Sequence, residues 1–125
     1  MAISYQIDPA TRVIRILLEG KVTLSEITGF FEQTDADAYF DRRMNRLVLA
    51  DTLVAFPPEA EIDAALPRVQ DRIRGNDARF AVVAASNAAA MSAFLRRAGV
   101  ADRSAVFSRE ADAWRWLLRV DRSPD

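Results

Sequence analysis

Asp51, Thr52 and Ser86 are the polar residues placed where chemistry could happen. Asp51 and Thr52 close the run Leu47-Val48-Leu49-Ala50, and Ser86 closes Phe80-Ala81-Val82-Val83-Ala84-Ala85. Short apolar runs of this kind, bounded by charged or proline-containing segments, predict strands buried on both faces. The spacing of the two suits parallel neighbours joined by a crossover helix. In open parallel sheets, ligands collect where strands end and helices begin. The candidate ligand-binding residues are therefore Asp51, Thr52 and Ser86, with apolar Leu53 and Phe56 from the segment that follows the first strand. A second chemistry would use carboxylates: Asp51, Glu59 and Glu61 could act as a general acid and base on a small substrate if their environments separated their pKa values. Glu59 and Glu61 fall on different sides of a helix, however, and acids in a first helical turn serve its dipole. The residues thus favour a non-catalytic reading.

Composition narrows the classes further. The 125 residues suffice for one domain with a real core, and 50% apolar with 28% charged is ordinary globular composition. A formal net charge of −1 gives no general attraction to nucleic acid. Without Cys or His there is no thiol chemistry, no Cys/His metal site and no imidazole base, and no cofactor is expected. Met1 to Gln6 lack the basic and apolar segments of a signal peptide, and no apolar run approaches the ~20 residues of a membrane-spanning helix. A soluble, cytoplasmic protein is the expectation.

The elements that must position these residues follow in chain order. Ile3–Ile7 and Val13–Leu18 around Asp8-Pro9-Ala10-Thr11-Arg12 predict an antiparallel hairpin. Thr23-Leu24-Ser25-Glu26 has capping-box spacing, opening a helix with Leu24, Ile27, Phe31 and Ala38 on one stripe, Phe30 beside it and Gly29 as a weak point. Pro57-Pro58 can start a second helix striped by Ile62, Leu66, Val69 and Ile73, in which Pro67 predicts a kink or two short helices. Ser86 or Asn87 can cap a third, striped by Met91, Phe94, Leu95 and Ala98 and stopped by Gly99. Ala105–Phe107 predicts a last strand, and Ser108 a cap for a final helix with Ala111, Trp114, Leu117 and Leu118 inward. Residues 120–125 read as a frayed tail.

The resulting order, β-β-α-β-α-β-α-β-α in a single α/β domain over residues 1–125, resembles the STAS-like domains. These are the bacterial anti-sigma-factor antagonists and the CRAL-TRIO-like proteins grouped with them, and above all their small stand-alone bacterial relatives. The resemblance runs from Ile3 to Leu118, and its best local points are Gly20-Lys21-Val22-Thr23 and the closing run Val106 to Leu117. In the antagonists a phosphorylatable Ser follows an Asp after the central strand. Asp51-Thr52 stands in that place here, which makes Thr52 the candidate phosphorylation site, although Leu53-Val54 replaces the usual small turn. The CRAL-TRIO-like relatives bind lipids, which implies an apolar ligand.

Taken together, the sequence predicts a regulatory or small apolar-ligand-binding module, with a protein partner or an apolar ligand as its counterpart. Leu53 to Pro67 is expected to be a mobile lid over the main cavity, lined also by Asp51 and Thr52. Trp116 lies off the predicted inward stripe of the last helix, and a large apolar ring there makes it the candidate anchor of a homodimer.

Overall fold

The computed structural model describes residues 2–41, 43–50, 54–74, 78–84 and 88–122. Among these residues five strands form one sheet: β1 (Ile3–Asp8), β2 (Val13–Leu18), β3 (Asn45–Ala50), β4 (Phe80–Val83) and β5 (Ser104–Phe107). Four helices accompany them among the described residues: α1 (Leu24–Ala36), α2 (Glu59–Arg74), α3 (Ala88–Ala98) and α4 (Glu110–Arg122), with a 3-10 turn at Ala101–Arg103. β1 is antiparallel to β2 and every other pairing is parallel, in the spatial order β1-β2-β3-β4-β5. The predicted α/β order is the observed one, and β3 and β4 are adjacent as expected.

That order dictates how the layers form. From β2 to β5 each crossover steps in the same direction, so right-handed connections place α1, α2 and α3 on one face. The packing agrees. Ile27 and Phe30 of α1 meet Ile14 and Ile16, while Leu66 of α2 and Met91 and Leu95 of α3 meet Phe80 and Val82. Among the described residues no strand follows α4, which covers the opposite face, where Ala113 and Leu117 pack on Val13, Leu47, Leu49 and Ala81. Strand alternation sorts each residue to a face, so Arg46, Val48 and Ala50 look toward the three helices and Leu47 and Leu49 toward α4.

Local chemistry explains the element ends. Arg12 takes a left-handed φ of 56° in the hairpin loop, where its N–H donates to Asp8 O at 2.9 Å. Thr23 Oγ1 accepts from the Glu26 N–H at 3.2 Å, the predicted cap. The Glu26 carboxylate reaches back to accept from the Thr23 hydroxyl at 3.3 Å, and its other oxygen accepts from the Ala2 N–H at 2.9 Å, tying α1 to the start of β1. α1 stops at Ala36, so Ala38 lies beyond it. Gly99, at φ 79°, ends α3 with the Val100 N–H donating to Leu95 O at 3.1 Å.

Two expectations need correction. Of the kink or two short helices expected at Pro67, the two separate helices do not form: α2 is one helix with Pro67 inside it, beginning where the Glu61 and Ile62 N–H groups donate to Pro58 O at 3.0 and 3.1 Å. Among the described side chains of α4 the buried ones are Ala113 and Leu117, while Ala111 and Leu118 are exposed. The helix also opens at Glu110, with the Ala113 N–H donating to Arg109 O at 3.3 Å, one position later than a Ser108 cap would give. At ~100° per residue, Trp114 and Trp116 then lie as shoulders roughly 80° either side of the Ala113–Leu117 line.

Candidate functional site

Between the sheet and α1–α3 lies a cavity of about 130 Å³. Its floor is the helix-side row of the sheet: Ile16 and Leu18 from β2, Arg46 and Val48 from β3, and Phe80 and Val82 from β4. Phe30 and Phe31 of α1 and Met91, Phe94 and Leu95 of α3 form the opposite wall. These residues share a cavity because period-two strands and period-3.6 helices aim their apolar sides at one another. Bulky aromatic rings meeting branched residues leave the space unfilled, as the Phe30 and Phe31 rings pack edge to face with centroids 5.4 Å apart.

The third wall comes from the segment expected to be a lid. Phe56, Pro57 and Ile62 line the cavity. The chain just before them is held by the sheet: the Ala55 N–H donates to Gly20 O and the Val22 N–H donates to Ala55 O, both at 2.8 Å. Ala55 thereby forms a parallel bridge with Lys21 beyond the end of β2. Gly20 makes this possible by taking a φ of 66°, which lets the chain turn out of β2. The wall at Phe56 is therefore tied to the sheet at Ala55.

Arg46 is the one charged residue lining the cavity among the described residues, and only 5% of it is exposed. Its guanidinium carbon lies 5.0 Å from the centroid of Phe80 and 6.0 Å from that of Phe40, so aromatic faces hold part of its charge. The sequence reading placed Arg46 in the basic boundary before the strand, whereas it is the second residue of β3. Extending the two-residue alternation back from Ala50 through Val48 would have put it on the floor of the cavity.

Of the predicted site residues, Phe56 lines the cavity. Asp51, Thr52, Leu53 and Ser86 lie outside the described residues, so the proposed phosphorylation site does too. For the carboxylate alternative, Asp51 and the side chain of Glu59 are likewise outside, and Glu61 is exposed on α2. No group of three or more acids that could hold a metal occurs among the described residues. Trp116 is half-buried and packs on Phe107 of its own chain with ring centroids 5.8 Å apart, so the ring is not left in water. No family model, curated protein or solved structure matches this chain.

Two polar clusters lie away from the cavity. On the α4 face, Arg15 donates from Nε and Nη2 to the two carboxylate oxygens of Glu110 at 3.2 and 3.4 Å, and Trp114 Nε1 donates to Glu110 Oε2 at 3.1 Å. The Arg15 hydrogen bonds, helped by the Trp114 N–H and the guanidinium charge, hold the Glu110 carboxyl below its ordinary range against partial burial. Beside β1, the Tyr5 hydroxyl donates to Asp37 Oδ2 at 2.7 Å, and the Tyr39 N–H donates to Asp37 Oδ1 at 2.9 Å. That backbone N–H, then the Tyr5 hydroxyl, lowers the Asp37 pKa, while the same bond to Asp37, with burial, raises that of Tyr5. Both clusters are structural ties between elements. No described helix is long and apolar enough to cross a membrane.

Proposed function

We propose that this chain is a non-catalytic, STAS-like module that binds a small apolar ligand between its sheet and helices α1–α3. The observation that carries the reading is the 130 Å³ cavity with almost wholly apolar walls. A cavity of about 150 Å³ lined by Leu, Ile and Phe stays dry and takes up benzene, which sets the scale here. A ligand the size of a phenyl ring, or a chain of about six heavy atoms, matches the space. A long acyl chain does not, so the ligand is smaller than the lipids the CRAL-TRIO-like resemblance implies.

The energetics of that ligand are modest. Burying a phenyl ring removes about 150–250 Å² from water. At about 25 cal/mol per Å² this gives about 4–6 kcal/mol, a dissociation constant between about 0.05 and 1 mM. Such an affinity suits a sensor of an abundant small molecule.

Titration with benzene, followed by methyl chemical shifts, tests the reading. Methyl groups of Val48, Val82 and Met91 are expected to shift saturably. Those of Leu47 and Leu117, across the sheet, are expected to stay still. Shifts spread equally over both faces, or none at the solubility limit of benzene, would remove the proposal.

A further inference from the structure

We infer that the open edge of β1 docks an extended peptide strand whose basic side chain lies against Tyr39 and meets the Asp37 carboxylate. A groove of about 450 Å³ runs there, lined by Tyr5, Gln6, Ile7, Pro9, Asp37 and Tyr39, and it shares no lining residue with the inner cavity. Successive strand residues point to opposite faces, so a groove lined by Tyr5, Gln6 and Ile7 together follows the backbone edge rather than either face. The Glu19 N–H donates to Ala2 O at 2.8 Å, which makes Ala2 and Glu19 a hydrogen-bonded pair. Alternation along the antiparallel ladder then turns the backbone groups of Ser4, Gln6 and Asp8 toward β2 and those of Ile3, Tyr5 and Ile7 away from it. No described strand pairs on that side. Lysines, prolines and bulges blunt such edges, and β1 contains none of them. A row of unpaired donors and acceptors beside a groove is the arrangement that takes up an added strand.

The side chains identify the occupant. Asp37 is the one charged residue lining the groove among the described residues. Its side chain accepts from the Tyr5 hydroxyl and the Tyr39 N–H, both neutral donors, and these take two of the roughly four acceptor positions of a carboxylate. Arg12, the cation of the adjoining hairpin loop, is paired with Asp41 instead. Asp37 also stands at the C-terminal end of α1, whose last turn has no basic residue, so the helix dipole adds to the demand for a cation. Tyr39 is 76% exposed and offers its ring to the aliphatic stem and ammonium of a lysine. A second copy of this chain fits poorly. Its β1 brings no cation, and two-fold pairing centred on Tyr5 would set two Asp37 carboxylates near each other. A residue opposite Tyr5 points to the same face as the Tyr5 ring, so the basic residue belongs there, between polar neighbours that face exposed Ser4 and Gln6.

The test uses the full chain at neutral pH with three end-capped peptides: Val-Thr-Lys-Thr-Val, and the same peptide with norleucine or glutamate in place of lysine. Binding is read from saturable shifts of the Ile7 and Tyr39 amides, so that association with exposed acids elsewhere, such as Glu61, is not counted. The lysine peptide is expected to bind tenfold or more tightly than the norleucine peptide, and the glutamate peptide more weakly still. At saturation, hydrogen exchange of the Tyr5 and Ile7 amides should slow tenfold or more, because carbonyls of the added strand accept from them. Asp37→Asn keeps the shape of the side chain and should bring the lysine preference to about one. Equal binding of the lysine and norleucine peptides by the wild type would overturn the assignment of a basic partner. Lysine preference without slowed exchange would overturn strand addition. Retention of the preference in a folded Asp37→Asn would overturn the role of Asp37. Slowed exchange that grows with protein concentration alone would make a second copy the occupant and overturn the peptide. If no peptide moves the two amides, the whole inference falls, while the inner cavity is untouched. The wild-type comparison decides the partner class even if Asp37→Asn does not fold.

Discussion

Arg46 and Phe80 are paired in register on adjacent parallel strands, and the Arg46 guanidinium carbon stands 5.0 Å from the centre of the Phe80 ring. A buried cation is thus built into the floor of an otherwise apolar layer, with an aromatic neighbour fixed by strand pairing rather than by a flexible loop. Register matters here because a one-residue slip of β4 would turn Phe80 to the α4 face and bring Ala81 beside Arg46.

Phe80 should therefore contribute in two ways. Phe80→Ala is expected to lose about 3–5 kcal/mol of stability, as for other buried Phe truncations. Phe80→Leu keeps most of the volume but not the aromatic face, and should cost less, including about 1 kcal/mol for the lost cation–ring contact. Urea unfolding of both variants measures this. Equal losses would show that the ring gives Arg46 nothing beyond bulk.

Two glycines should respond in opposite directions to the same substitution. Gly29 lies inside α1 with no atom within 4 Å of an added Cβ, so Gly29→Ala should stabilise by about 0.5–1 kcal/mol. Gly20 has equally open surroundings but a φ of +66°, and Gly20→Ala should destabilise by about 1–2 kcal/mol. Thermal melts of the pair check it. The same sign for both would mean that the turn at Gly20 is not left-handed.

Adjacent leucines in α4 should differ sharply. Leu117 is fully buried and Leu118 is 38% exposed. Leu117→Ala is expected to cost about 2–5 kcal/mol and Leu118→Ala about 0.5 kcal/mol or less. The reverse order in a urea titration would restore the helix phase read from sequence.

The polar ties give distinct pH signatures. The folded-state pKa of Glu110 is lowered, so its contribution is present above its unfolded value of 4.5 and is lost as pH falls through the folded value. The stability gap between wild type and Glu110→Gln should shrink on acidification below about pH 4.5. Tyr5 is raised above 10.0, so its contribution is full below pH 10.0 and is lost as pH rises through the folded value. The gap to Tyr5→Phe should shrink on the alkaline side, and on the acid side as well as Asp37, whose pKa the same hydroxyl helps to lower, takes up its proton. Gaps that are flat in pH would separate these hydrogen bonds from stability.

How much was legible in the sequence follows from where local pattern and tertiary context agree. The hairpin, the β3–β4 neighbours and the stripe of α3 were readable because branched apolar runs and i, i+3, i+4 spacing leave one arrangement that buries them. Arg46 was not, because a charged residue at the head of an apolar run looks like the boundary, and the aromatic rings that help make its burial tolerable come from β4 and the loop before β3. Two tryptophans blurred the phase of α4, since both cover core edges while small Ala113 sits at the centre. The carboxylate of Glu26 could not be assigned either. One oxygen meets the nearby Thr23 hydroxyl, but the partner of the other, the Ala2 N–H, is 24 residues away in sequence.

Xenon pressurisation of crystals tests the central claim most directly, because an apolar cavity of this size takes up xenon without any assumption about the natural ligand. The account predicts xenon density bounded by Phe31, Val82 and Met91, between the sheet and the helices, with the surrounding side chains barely displaced. Closed packing of those three residues with no xenon between them would contradict it.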